Sequence, residues 1–358
     1  MKYIIKLFIF ISLIAVSFYL FVLSIDPYDK YGFNYFNLTT KAVNSYRDNK
    51  FHQIDNTMEK YDLFILGSSR VQAFDPELIE VDTGLKTFNY GVNNSKPEDL
   101  LAITKHIVAK QTPKIIFLQL DFYNLNKHIP MDGRLKVSPL REYLDNNVKE
   151  TIDSSEFYFY EKTYTTLSSL KDSIKLIYKN KLGTVEITHK HNGMNLGNIS
   201  KEKPKLAEPY FKNEYKSYEF GEKRIGYFKQ LKKLCDTNNI KLIVSISPMN
   251  EEHFTKLVND DYLYRKLFSF KRKVVEIFDK VYDFNNIGAF KYQDIYWMDS
   301  VHPSVELTNV MEKIIFTSQN INNNFGIKLN KDNIEAYLEH LKQQIKDYDL
   351  KKINTINK

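Results

Sequence analysis

The chain has one cysteine, Cys235, so it forms no disulfide within itself. That residue ends the helical-looking stretch 230–235 and reads as a small buried apolar residue, not a reactive thiol. The sequence also lacks a block of like charge. Its net charge of +7 comes from lysines dispersed among acids, a pattern that argues against a nucleic-acid surface. His189, Lys190, His191 and His253 lack any Cys or carboxylate at ligand spacing, so no metal or other cofactor is expected. His253, shortly after Ser-Pro-Met 247–249, reads as a surface histidine. There is no internal repeat, and past the N-terminus no apolar run is long enough to cross a membrane.

What is present is a globular composition. Of 358 residues, 43% are hydrophobic and 14% aromatic, enough for one large domain or two ordinary ones. Residues 7–25 carry no charge. As a helix they would span roughly 28 Å, close to a bilayer core. Lys2 and Lys6 precede this run and Asp26 follows it, which predicts a single-pass anchor in the cytoplasmic membrane, N-terminus inside and the main domain outside. Its end is crowded with Phe18, Tyr19, Leu20, Phe21, Val22 and Leu23, unlike the small residues of a signal-peptidase site.

Beyond a juxtamembrane segment at 26–60, with a weak helical stretch at 42–46, strands and helices alternate. Residues 63–66 read as a buried strand, 76–81 as a helix, 86–89 as a strand, 97–110 as an amphipathic helix and 114–120 as a strand apolar throughout. The order predicts a three-layer α/β/α parallel sheet with right-handed crossovers. The rhythm breaks over 123–221, an aromatic-rich insertion or cap. It resumes with a helix at 222–235, a strand at 241–247, one long helical region at 251–278, a short strand at 281–284 and a last core helix at 303–317. Residues 329–352 read as a charged, solvated helical tail. The α/β domain is thus expected over 61–122 and 222–318.

Two short segments carry chemistry. The strand at 63–66 runs into Gly67-Ser68-Ser69-Arg70, and Asp299-Ser300-Val301-His302 precedes the last core helix. In an open parallel sheet, sites form at the carboxyl ends of strands, where Ser69 falls. A free serine is a poor nucleophile and needs a base. His302 supplies one, and Asp299 at i−3 orients its ring. The blander reading makes Gly-Ser-Ser and Asp299 helix caps. Trp297 and Tyr296 are either a wall of the site or core, and Asp283 reads as a turn residue.

At these residues the chain resembles the SGNH, or GDSL, hydrolases, a flavodoxin-like fold. Gly67-Ser68-Ser69 is similar to the Gly-Asp-Ser block, with Ser69 as the nucleophile. Asp299-x-x-His302 is similar to the last block. Residues 88–94, Phe-Asn-Tyr-Gly-Val-Asn-Asn, resemble the second, which implies an oxyanion donor at Gly91 or Asn94. The third block departs: Asp121 stands where an oxyanion-donating Asn is usual, which implies pairing with Arg70 or contact with a substrate hydroxyl. An anchor plus an exported domain resembles the DltD and AlgJ/AlgX type of envelope acyltransfer protein. That implies an O-acyltransferase acting on an envelope polysaccharide, with a multi-span membrane acyltransferase as partner. A carbohydrate esterase or deacetylase is the alternative, and a non-catalytic glycan-binding or assembly partner is a second.

Overall fold

The apolar tetrapeptide Leu63–Leu66 is buried at every position, so it must lie in the middle of a sheet covered on both faces. A computed structural model of the protein describes residues 2–27, 38, 46–144, 165–182, 192–194, 208–287, 294–319 and 325–356. The chain forms two compact units. One comprises residues 1–59 and 132–190, the other 60–131 and 191–358.

The first unit holds helices α1 (Lys2–Ile25), α2 (Tyr46–Asn56), α5 (Gly133–Val137) and α6 (Leu167–Leu182). Helix α1 is long and apolar enough to cross a membrane, and most of its side chains are exposed. The weak helical stretch expected at 42–46 reaches described residues only at Tyr46, where α2 begins.

The second unit is the α/β domain. Its strands are β1 (Leu63–Leu66), β2 (Thr87–Asn89), β3 (Ile115–Leu120), β4 (Lys241–Ile246), β5 (Val281–Asp283) and β6 (Ile327–Leu329), in the spatial order β2-β1-β3-β4-β5-β6. The first five are parallel, with Leu63 opposite both Thr87 and Ile115, Ile115 opposite Lys241, and Val244 opposite Val281. This is the doubly wound order, with its switch point between β1 and β3. The expected all-parallel sheet is corrected at one edge, where β6 runs antiparallel to β5 with Leu329 opposite Val281.

Local signals set the helices. Helix α3 (Pro76–Thr83) opens on Asp75, whose carboxylate accepts from Glu77 N, and closes on Gly84 at φ 70°. Helix α4 (Pro97–Lys110) starts on proline, with Asp99 accepting from Lys96 N. After α7 (Glu208–Tyr215) and α8 (Glu222–Thr237), the expected single helix over 251–278 is two. Helix α9 (Glu251–Val258) ends before Asp260, whose carboxylate caps α10 (Asp261–Phe278) by accepting from Tyr262 and Leu263 N. The last core helix, α11 (Val305–Phe316), begins two residues later than expected, capped by Ser304.

Side chains alternate across each strand. Leu63, Ile65, Phe117 and Phe284 share an apolar layer with Phe74, Ile79, Leu307, Met311 and Ile315 from the α3 and α11 side. Helices α4, α8 and α10 pack together across the domain, α8 on β4 and α10 on β5. The C-terminal segment is less solvated than its charge suggests. Helix α12 (Ile334–Ile356) buries Tyr337, Leu338 and Leu341. Tyr337 donates to Asp283 Oδ2 at 2.7 Å, and that carboxylate also receives the buried ammonium of Lys271 and, on Oδ1, Asn285 N. Asp283 therefore joins three elements in addition to forming the turn expected of it.

Candidate active site

Strand β1 ends at Leu66, and the chain turns at once through Gly67 and Ser68. A side chain on Gly67 would lie 2.6 Å from Val71 Cγ1, so the turn closes only on glycine. Ser68 Oγ accepts from Arg70 N and starts a single 3-10 turn, Ser69–Val71. Ser69 is the first residue of that turn, and the turn itself has no acceptor for its N–H. The nucleophile candidate thus stands at the carboxyl edge of β1, at the switch point.

The histidine arrives on a different device. In the loop ahead of α11, Met298 N donates to His302 O, Ser304 N to Tyr296 O, and Ser304 Oγ to Ile295 O. Trp297, nearly buried in the apolar layer, bridges to Pro303. It is core and supports the loop from beneath. Inside the loop, Asp299 Oδ1 accepts the backbone N–H of Val301 and of His302, both at 2.7 Å. Its other oxygen lies 2.7 Å from His302 Nδ1. His302 Nε2 is 2.8 Å from Ser69 Oγ, across 233 residues of sequence. With Nδ1 as the donor to the carboxylate, Nε2 is left to accept from the serine hydroxyl.

The electrostatics suit that assignment. Burial pushes the Asp299 carboxyl up, but the hydrogen bond and charge of His302, with the two backbone N–H groups, outweigh it and bring it to about 2. Asp299 is therefore a carboxylate at every pH at which a histidine acts as a base. His302 and Asp299 side chains are each 31% exposed, so the dyad is reachable from solvent.

The other expected site residues are placed differently from one another. Arg70 and Asp121 come together: Arg70 Nη1 donates to Asp121 Oδ1 at 2.6 Å, both side chains 2% exposed. Glu214 Oε2 lies 3.9 Å from Arg70 Nη2, and the guanidinium sits 5.8 Å from the Tyr123 ring. Asp121 is thus an internal ion-pair partner and does not present a free carboxylate to substrate. Gly91 N donates to Asn89 Oδ1 at 3.0 Å, so its donor is engaged. A side chain on Gly91 would meet Val71 Cγ2 at 2.4 Å. Asn94 is exposed and left-handed at φ 53°, a conformation that Asn tolerates better than most residues.

No family model and no curated protein matches the chain. Among solved structures it is similar to a Bacteroides fragilis protein provisionally named an acylhydrolase. The TM-score is 0.34 and the identity 11%, over 73% of this chain and 88% of that one. A likeness at that level decides neither fold nor activity, which rest on the residues themselves.

Several residues that hold the site together are not evident from its motifs. Asn89 Nδ2 donates to Val71 O at 2.8 Å and to Phe74 O at 3.1 Å, while its oxygen serves Gly91. One buried amide therefore joins the segment after Ser69 to the segment after β2. From α11, Thr308 Oγ1 donates to Ala73 O at 3.0 Å, and Glu312 Oε1 accepts Asp75 N at 2.7 Å. These tie the helix that follows His302 to the turn that carries Ser69. The signal for them is an i, i+4 polar pair on a helix face otherwise made of Leu307, Met311 and Ile315.

The remaining candidates lie elsewhere. His253 is fully buried, contrary to the surface position expected, because its ring packs against Phe211 and Tyr215, while Asn250 Oδ1 accepts its backbone N–H at the start of α9. Its Nε2 pairs with Tyr215 Oη at 2.9 Å. His189, Lys190 and His191 lie outside the described residues. Among the described residues, no three His, Cys, Asp or Glu converge as metal ligands. Cys235 is buried on α8, and burial pushes its thiol up to about 12, which leaves it no nucleophilic role.

Proposed function

We propose that this protein is a membrane-anchored serine acyltransferase of the SGNH type acting on a cell-envelope glycan. The observation that carries the reading is the unbroken hydrogen-bonded line Ser69–His302–Asp299, with contacts of 2.8 and 2.7 Å. That line is what a serine needs to act as a nucleophile at neutral pH. Anchored by α1, with Lys2 and Lys6 on the cytoplasmic side, the α/β domain acts outside the membrane.

In the first half-reaction Ser69 Oγ passes its proton to His302 Nε2 and attacks the carbonyl carbon of an ester or thioester. Asp299 holds the imidazolium. The oxyanion meets backbone N–H groups at Ser69 and near Asn94, since Gly91 is engaged and a carboxylate at 121 cannot donate. The intermediate collapses, the bond to the alcohol or thiol breaks, and the leaving group takes the proton from His302. In the second half-reaction a sugar hydroxyl gives its proton to His302 and attacks the acyl-Ser69 carbonyl. The acyl group moves to the glycan and Ser69 recovers its proton. A multi-span membrane acyltransferase would supply the acyl donor, because one anchor helix cannot carry acyl groups across a bilayer. With water as acceptor the same cycle is an esterase, and solvent access to the dyad supports that second reading.

The test is covalent labelling of the full chain by a fluorophosphonate, which needs only an activated serine. Labelling is expected in the native protein and absent in Ser69→Ala; undiminished labelling of the variant would remove Ser69 as nucleophile. Turnover of an aryl acetate with a soluble glycan present then separates the two readings. Acylated glycan supports transfer, and free acetate alone supports hydrolysis.

A further inference from the structure

Helix α6 has two apolar faces, and α1 covers one of them. Leu170, Leu176 and Ile177 pack on the last two turns of α1, against Phe18, Phe21, Val22 and Ile25. Ser169 and Ser173 are buried on α6 with their hydroxyls returned to nearby backbone carbonyls. The other face presents Leu167, Ile174, Tyr178 and Leu182. Their spacings of seven, four and four place them on one line along a helix. They are 82%, 54%, 63% and 54% exposed. A surface helix in water would carry polar side chains there. Lys171 interrupts the line between Leu167 and Ile174, Lys175 and Lys181 flank it, all three are exposed, and the helix has four lysines against one acid, Asp172.

The contact with α1 fixes where that line sits. At about 1.5 Å per residue, Phe18 to Ile25 covers roughly the last 10 Å of the helix. When α1 spans a bilayer, this is the boundary between acyl chains and headgroups, where amphipathic helices bury their apolar face by about 5–10 Å.

We infer that α6 is a second membrane-binding element: Leu167, Ile174, Tyr178 and Leu182 enter the leaflet boundary beside α1, while Lys171, Lys175 and Lys181 bind anionic phospholipid headgroups. Lysine stems lie along apolar surface and carry their charge outward, which suits this arrangement. The excess of lysine over acid selects anionic over zwitterionic lipid.

The test uses the full chain in nanodiscs of phosphatidylcholine, with or without phosphatidylglycerol. A fluorophore is attached at Ile174→Cys; buried Cys235 does not compete for it. Nitroxides near the lipid headgroup should quench this label more strongly in discs that contain phosphatidylglycerol. Lys171→Gln, Lys175→Gln and Lys181→Gln together should remove that preference, at roughly fivefold in partitioning per lysine. The three lysines are exposed, so these variants leave the packing on α1 intact. Equal quenching in both discs, or quenching by aqueous acrylamide without quenching by lipid, would overturn the proposal. So would shielding from both quenchers, which would put a protein neighbour or a second copy on the stripe. The readout does not involve Ser69, so its failure leaves the acyl-transfer reading standing.

Discussion

Asp299 holds His302 twice, once at the ring and once at the backbone: Oδ2 lies 2.7 Å from Nδ1, and Oδ1 accepts His302 N at 2.7 Å. One carboxylate therefore fixes the turn that presents the histidine and the tautomer in which it is presented. The two roles separate in a variant. Asp299→Asn keeps an oxygen for the backbone bonds but loses the charge that stabilises an imidazolium. Its rate of fluorophosphonate labelling is expected to fall by about 10²–10⁴ while the fold survives. A rate within a few-fold of the native protein would show that Asp299 is only a turn residue.

The same carboxylate gives a pH signature. Its folded value of about 2 lies below the ordinary 3.8, so its stabilisation is complete above about pH 4 and disappears as pH falls through 2. The shift corresponds to about 2 kcal/mol at most, and to roughly 1 kcal/mol after discounting for a site one-third exposed. Native protein and Asp299→Asn should differ in denaturation midpoint by that amount at pH 6 and converge near pH 2. A gap that persists at pH 2 would place the effect outside this ionisation.

Asp121 is the position at which a carboxylate replaces a donor, and Asp121→Asn would restore the amide. The prediction runs against the resemblance. Arg70 Nη1 and Asp121 Oδ1 form a buried pair at 2.6 Å, and removing one partner leaves a charge in a nearly dry site. That costs about 3 kcal/mol or more, even with Glu214 nearby. For a domain of this size the loss corresponds to roughly 6–12 °C in Tm. Thermal unfolding of the variant checks it; an unchanged Tm together with faster labelling would show that Asp121 faces the oxyanion after all.

What is readable in the sequence is what local chemistry decides. The bounds of β1, α4 and β3 follow from apolar runs set between Pro, Gly and acidic caps, and Ser69 and His302 fall where an α/β sheet puts its chemistry. What is not readable is decided by partners far away in sequence. The Arg70–Asp121 pair spans 51 residues, and His253 is turned inward by Tyr215, 38 residues before it. Strand β6 has three residues and no alternation of its own; it exists because β5 offers an edge. The start of α11 differs from expectation because Pro303 mimics a first helical residue, whereas its backbone closes the bridge to Trp297.

Asn89 is expected to act as a positioning residue. Asn89→Ala removes the donors to Val71 O and Phe74 O and the acceptor for Gly91 N; Val71 O keeps the N–H of Phe74, so the loss should be about 1–3 kcal/mol in all. Because the freed segment follows Ser69 directly, labelling should slow as well. The Asn89 amide is engaged by the backbone of these turns, away from His302 and Asp299, so the pH profile of labelling should keep its shape. Asn89→Asp keeps the acceptor for Gly91 N but sets a buried carboxyl oxygen against Val71 O and Phe74 O, and should be no more stable than Asn89→Ala at neutral pH. A shifted pH profile in either variant would show that Asn89 acts through the dyad instead of through the turn.

Glu312 makes the opposite prediction, a gain. Its side chain is almost completely buried on α11; Oε1 accepts Asp75 N, and Oε2 has no hydrogen-bond partner among the described residues. Burial pushes this carboxyl well above its ordinary 4.5, against the backbone bond that favours ionisation, and Asp75 and Asp82 add to the rise. For a raised carboxyl the favourable contribution is complete below the ordinary value and is lost as pH climbs through the folded one. At neutral pH, burying this group therefore destabilises the fold. Glu312→Gln keeps the acceptor for Asp75 N and removes the ionisation, so it should be more stable than the native protein by about 1–3 kcal/mol at pH 7. The gain should shrink with falling pH and vanish below about pH 4.5, where both side chains are neutral. Denaturation midpoints at pH 4 and pH 7 check it. A variant equally stable at pH 7 would show that water or local opening already solvates the carboxylate, and that the α11 clamp on the Ser69 turn is looser than the 2.7 Å contact implies.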